Sequence, residues 1–206
     1  MTTYAGFDVL ETPPNRRDDQ TDTVDHLTGV FDPGLGKISV VDHSQVSTVT
    51  HTFSWFLKDR AEVQLLRDFY AARKGRAVPF WLPSWQADFT LVQTVAHDHT
   101  TVIVQDVSYS LTGFPFVSRR RLCFVLGGGT MLYRGITASV NNGDGTETLT
   151  IDSAPGVDVS ASDALISLLY LCRMADDAMT INWYGTEGAE CDLTWQEIPL
   201  EAPAVT

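Results

Sequence analysis

Apolar and polar side chains alternate along much of this chain. Val49, His51, Phe53, Trp55 and Leu57 take every second place, with Thr50, Thr52, Ser54 and Phe56 between them. Period two marks a strand with one buried face. The whole stretch Ser39–Leu57 is rich in Val, Thr and aromatics, which suit a pleated surface. The same logic predicts strands near Tyr4–Leu10, Phe89–Val95, Thr101–Gln105, Arg121–Leu126 and Met131–Val140. It predicts others at Glu147–Ile151, Leu165–Arg173, Ala178–Tyr184 and Cys191–Ile198. Turn residues separate them: AHDHT before Thr101, three glycines at Gly127–Gly129, and NNGDG at Asn141–Gly145, where Asn and Gly accept positive φ.

One segment has a helical period. Val63, Leu66 and Tyr70, joined by Leu65 and Phe69, recur at i, i+3, i+7 spacing. Asp59 and Glu62 make a D-x-x-E capping pair, Arg67, Arg73 and Lys74 suit the C-terminal half, and Gly75 is the expected C-cap. The predicted helix runs from Asp59 to Lys74. After it, PFWLPSW (Pro79–Trp85) is expected to be irregular, because its prolines lack donors and restrict their neighbours. Residues 1–36 read as a short strand and then an irregular arm.

Many short strands with one helix point to a mainly β fold, a sandwich or small barrel. A change of character near Val117–Arg121 places a boundary between a β domain over 1–118, with the helix and aromatic loop, and a β subdomain over 119–206. The arm containing Arg16, Arg17, Asp18 and Asp19 is expected to be ordered only in an assembly.

Composition narrows the function. Of 206 residues 44% are apolar and 19% charged, which fits an ordered globular chain. The 14 Lys and Arg are outnumbered by 26 Asp and Glu, for a net charge of −12, which argues against general nucleic-acid binding. The chain shows no signal-peptide pattern and no apolar run long enough to span a bilayer, so a soluble protein made in a cytosol is expected. Cys123, Cys172 and Cys191 lie far apart with no CxxC, and read as buried reduced thiols.

Candidate chemistry is thin. His97 and His99 resemble a ligand pair but sit in a turn with no third ligand nearby. Gly127–Gly129 follows a strand yet precedes another strand, where a phosphate loop needs a helix. NNGDG departs from calcium-loop spacing. No G-x-S-x-G elbow is present, and the pairs Asp18–Asp19 and Asp176–Asp177 point to opposite faces of any strand. The expectation is a non-enzyme with no cofactor and no metal. Arg119-Arg120-Arg121, the densest basic run, reads as an intermolecular salt-bridge patch or a solvated turn.

The stretch FYAARKGRAVPFWLPSWQADF resembles the distal tail proteins of tailed phages and gene transfer agents. Phe69, Tyr70, Ala72, Arg73, Gly75, Phe80, Trp81, Trp85, Asp88 and Phe89 carry that likeness. The C-terminal stretch LCRMADDAMTINWYGTEGAECDLTWQEIP is similar to the end of small phage tail-tip domains, through Arg173, Asp177, Trp183, Leu193 and Glu197. The resemblance implies a structural virion protein of the tail tip or baseplate. Such proteins form a homo-oligomeric ring, usually a hexamer, between the tail tube protein and the trimeric hub. DNA passes through the channel without specific binding, and no membrane is involved. It implies a place in the virion tail, with assembly in the bacterial cytoplasm. Phe69, Tyr70, Arg73, Phe80, Trp81, Trp85, Asp88 and Phe89 are then the candidate interface, with Trp81 and Trp85 either docking on a neighbour or closing the core. A tail hub or minor tail protein, or a carbohydrate-binding β module, is the alternative.

Overall fold

The computed structural model describes residues 2–15, 20–26, 28–42, 47–186 and 188–205. Its first strands are β1 (Thr3–Tyr4), β2 (Phe7–Asp8), β3 (Thr21–Asp25), β4 (Thr28–Phe31), β5 (Ser39–Asp42) and β6 (Thr48–Leu57). Helix α1 (Arg60–Arg73) follows, then β7 (Phe80–Pro83), β8 (Thr101–Gln105) and a one-turn helix α2 (Tyr109–Thr112). The remaining strands are β9 (Arg121–Val125), β10 (Met131–Asn141), β11 (Thr146–Ile151), β12 (Leu165–Met174), β13 (Ile181–Tyr184) and β14 (Gly188–Glu197). The fold is mainly β, as the alternation predicts, and the described strands do not close into a barrel.

The chain forms two compact units. One comprises Met1–Pro13, Phe80–Leu171 and Glu201–Thr206; the other comprises Pro14–Pro79 and Cys172–Leu200. Each is discontinuous, so a division at residue 118 matches neither. The reason is the sheet pairing, in which strands far apart in sequence are neighbours. Strand β12 serves both units, the first up to Leu171 and the second from Cys172.

In the first unit an antiparallel ladder runs β12–β9–β10–β11–β8. Leu122, Phe124, Ile136, Leu149, Ile151, Val102, Val104 and Ile166 are buried together. The NNGDG stretch makes the predicted β10–β11 turn, with Gly143 and Gly145 at φ +77° and +86°. The expected strand Phe89–Val95 is instead a chain of single bridges, Phe89 to Ile166, Leu91 to Val104 and Val95 to Val159.

The PFWLPSW expectation needs correction. Phe80–Pro83 is a strand with every residue buried. Pro79 precedes it and Pro83 ends it, so neither removes a donor that the middle of the strand needs. The Trp81 carbonyl accepts from Leu10 N at 3.0 Å, and Ser84 N donates to the Leu168 carbonyl at 2.9 Å.

In the second unit β6 lies between β3 and β14; β14 also pairs with β13 and with the end of β12. His51, Phe53, Trp55 and Leu57 are buried, as their alternation requires. Trp55 and Trp195 meet edge to face, their centroids 5.8 Å apart. Asp59 caps α1: its Oδ1 accepts from Ala61 N at 2.8 Å and Glu62 N at 2.9 Å. Glu62 reaches back past the N-cap in a variant of the box, accepting from Lys58 N at 2.7 Å. Val63, Leu66, Phe69 and Arg73 form the buried face, whereas Leu65 faces water. The left-handed C-cap is Lys74 (φ 52°), one residue before the expected glycine. Strands β4 and β5 form a separate two-stranded hairpin, Val30 facing Val40 and Phe31 facing Ser39.

Candidate functional site

The two stretches that carry the tail-protein likeness meet in the second unit. Arg76 and Asp177, about a hundred positions apart, form a two-pronged pair: Arg76 Nη2 and Nε donate to Asp177 Oδ2 at 2.9 and 3.2 Å. The Arg76 backbone N–H donates to Asp177 Oδ1 at 2.9 Å. These hydrogen bonds hold the Asp177 carboxyl below its ordinary pKa. A Cβ at Gly75 (φ +62°) would stand 2.4 Å from Asp177 Oδ1, so glycine is required by both space and backbone. Arg173 Nη1 donates to the carbonyls of Arg76, at 3.2 Å, and Ala77. Arg73 is buried, lies 5.2 Å over the Phe69 ring and donates to the Pro79 carbonyl at 3.3 Å. Trp183 stands between Arg60 and Arg67 of α1, at 5.7 and 5.9 Å. These residues tie the end of α1 to the strands beside it. They form a brace whose Arg76–Asp177 pair faces solvent.

The proposed interface residues divide between the units. Phe69, Tyr70 and Arg73 belong to the second; Phe80, Trp81, Trp85, Asp88 and Phe89 belong to the first. Phe80 and Trp81 are 0% exposed within one chain. Trp81 Nε1 donates to the Tyr4 carbonyl at 2.8 Å, and Arg121 stacks 5.0 Å over its ring. Trp81 therefore takes the core-closing role. Trp85 is half-buried, with φ 57° and an indole N–H that has no partner. Asp88 staples the loop: it accepts from Leu168 N at 2.7 Å and from Ser84 Oγ.

The remaining candidates find local roles. The His97 backbone N–H donates to Asp158 Oδ1 at 2.8 Å. Among the described residues no group of three His, Cys, Asp or Glu side chains stands close enough to hold a metal. The three cysteines are buried and in no disulfide, and burial pushes the Cys191 thiol up to about 12. Each arginine of the run has a partner within the chain. Arg119 lies 4.4 Å over Tyr170, and Arg120 lies 4.2 Å over Phe114 while donating to its carbonyl. Arg121 is buried and donates to Tyr4 Oη and to the carbonyls of Pro203 and Ala204. Arg16, Arg17, Asp18 and Asp19 lie outside the described residues.

Two features escaped the sequence reading. The first is an ion cluster around the buried His51. His51 Nδ1 stands 2.6 Å from Asp22 and Nε2 stands 2.8 Å from Glu197. Carboxylates accept, so both ring nitrogens donate and the imidazolium is favoured. Burial opposes that charge, but the hydrogen bonds to Glu197 and Asp22 outweigh it and hold the pKa above its ordinary value.

The second is the β4–β5 hairpin. Val30, Phe31, Ile38, Val40 and Val41 are more than half exposed, and Leu35 at the tip is 96% exposed. Val30 and Val40 share one face; Phe31 and Val41 share the other. The tip is shaped by Asp32, which accepts from Gly34 N at 2.8 Å. Two strands with no third element among the described residues are marginal in water, and apolar side chains on both faces make this a sticky surface. The legible signal was GVFDPGLGKISVV, two apolar runs around a Pro-Gly turn. Compared with models of known families and with curated proteins, the chain matches none.

Proposed function

We propose that this chain is a structural virion protein of a phage tail tip, forming a ring that joins the tail tube to the hub around a DNA channel. The observation that carries an assembly role is the β4–β5 hairpin, whose exposed apolar faces suit a neighbouring protein better than water. The resemblance of 69–89 to distal tail proteins and of 171–199 to the end of small phage tail-tip domains supports the identity of that assembly, and the meeting of Arg76 with Asp177 gives both stretches one structural reason. The net charge of −12 suits a channel wall that must not retain passing DNA.

The test is to mix the purified protein with the products of the neighbouring tube and hub genes and image the complexes by electron microscopy. Rings bound to tube ends or to the hub are expected. Failure to bind either partner, at concentrations where tube and hub proteins are themselves assembled, contradicts the tail-tip reading.

A further inference from the structure

We propose that the β4–β5 hairpin of one copy docks on the α2 corner of a second copy, so that copies join head to tail. This inference rests on the assembly reading above. It adds the partner, another copy of this chain, and the surface that receives the hairpin.

The corner spans 107–121 in the first unit. Its accessible charges are the half-buried Arg119 and Arg120, with Asp106 at its border and Arg121 buried, in a chain whose acids outnumber its bases. Leu111 is 76% exposed and Phe116 50% exposed, flanked by Val107 and Val117, which also face water. The backbone beneath is rigid. Glu147 of β11 is fully buried and accepts from Tyr109 N at 3.0 Å, Ser110 N at 3.0 Å and Ser110 Oγ at 2.8 Å. The carboxylate thus caps a helix whose own N-cap residue, Ser108, makes no capping bond. Tyr109 packs edge to face on Phe89 at 5.0 Å, and its hydroxyl donates to the Arg119 carbonyl at 2.8 Å. A Cβ at Gly113 would stand 2.3 Å from the Tyr109 ring. So four apolar side chains stand on a stiff base beside Arg119 and Arg120.

The hairpin is the complement. It is apolar on both faces, and its exposed charges are Asp32 and Asp42 against Lys37. Two acidic copies repel in general, but an acidic hairpin meeting a basic corner attracts. A contact between two different patches is heterologous, and repeated it builds a closed ring or a filament. Hairpin-to-hairpin contact would instead stop at a symmetric pair and bring like charges together.

The experiment uses two double variants, Phe31→Glu with Val40→Glu in the hairpin and Leu111→Glu with Phe116→Glu at the corner. All four side chains are exposed, and circular dichroism and melting curves check that each variant folds. Should the corner variant fail to fold, Leu111→Ser with Phe116→Ser replaces it. Native mass spectrometry reads the species present. Each variant alone is expected to lose self-association. Mixed in equal amounts, they are expected to form a one-to-one pair and nothing larger, because each retains one working surface. A corner variant that assembles like the wild type overturns the docking while leaving the assembly reading intact. A mixture that stays monomeric overturns it too. A wild type that is monomeric alone and with tube and hub proteins overturns the assembly reading and this docking with it.

Discussion

Phe80–Phe89 and Thr28–Asp42 are both short, apolar and punctuated by proline and glycine, yet they meet water in opposite ways. The first sits on β12 and is bridged to Val9 and Leu10; its Trp81 has no exposed surface. The second pairs with itself and leaves its valines and Phe31 in solvent. What separates them is the supply of neighbours, since a strand becomes core when other strands cover its faces. Aromatic density therefore says how much a segment can bury, and the ladder around it says whether the burial is within the chain or with a partner.

The largest effect should come from breaking the buried member. Trp81→Ala deletes a fully enclosed indole, its hydrogen bond to Tyr4 and its stack under Arg121, a loss of ~3–5 kcal/mol. Chemical denaturation should show the midpoint falling steeply or the protein failing to fold. In protein dilute enough to be monomeric, Phe31→Glu should leave the same curve within ~0.5 kcal/mol, as a surface change does. Equal losses at the two positions would erase the contrast.

A smaller effect sharpens the comparison at the base of the hairpin arm. His51 clasps Asp22 of the edge strand β3, which ends at Asp25, three positions before β4 begins at Thr28. Its folded pKa is raised, so its contribution is fully present below the ordinary imidazole range and is lost as pH rises through the folded value. Hydrogen exchange of the β3 amides should quicken with pH more than its intrinsic dependence requires. His51→Gln should remove that excess. An unchanged profile in the variant would detach the clasp from the arm.

The smallest effect concerns α1. Asp59→Ala removes the cap that accepts from Ala61 and Glu62 and should cost ~1 kcal/mol in a melting experiment. Self-association should not change, because the cap touches neither the hairpin nor the corner.

The fold was legible where one residue's neighbours along the chain decide its state. The alternation of His51, Phe53, Trp55 and Leu57 and the Asp59–Glu62 box both appear as read. The turn at Asn141–Gly145 does too. The strand at Phe80–Pro83 was hidden because prolines dominate its local propensity, while its partners Val9 and Leu168 lie far off in sequence. The interleaved units were hidden for the same reason. The exposed hairpin was hidden because apolar runs normally signal core, and only the absence of a covering strand reverses that meaning. The clasp of His51 needed Asp22 and Glu197 to be brought together from the two ends of the chain.

The most direct test of the central claim is the solution mass of the wild type and of the hairpin variant, Phe31→Glu with Val40→Glu, by light scattering over a range of concentrations. The account predicts a wild type well above the 22.7 kDa of one chain and a folded variant at that mass. A variant that associates as strongly as the wild type would show that the hairpin does not hold the assembly together.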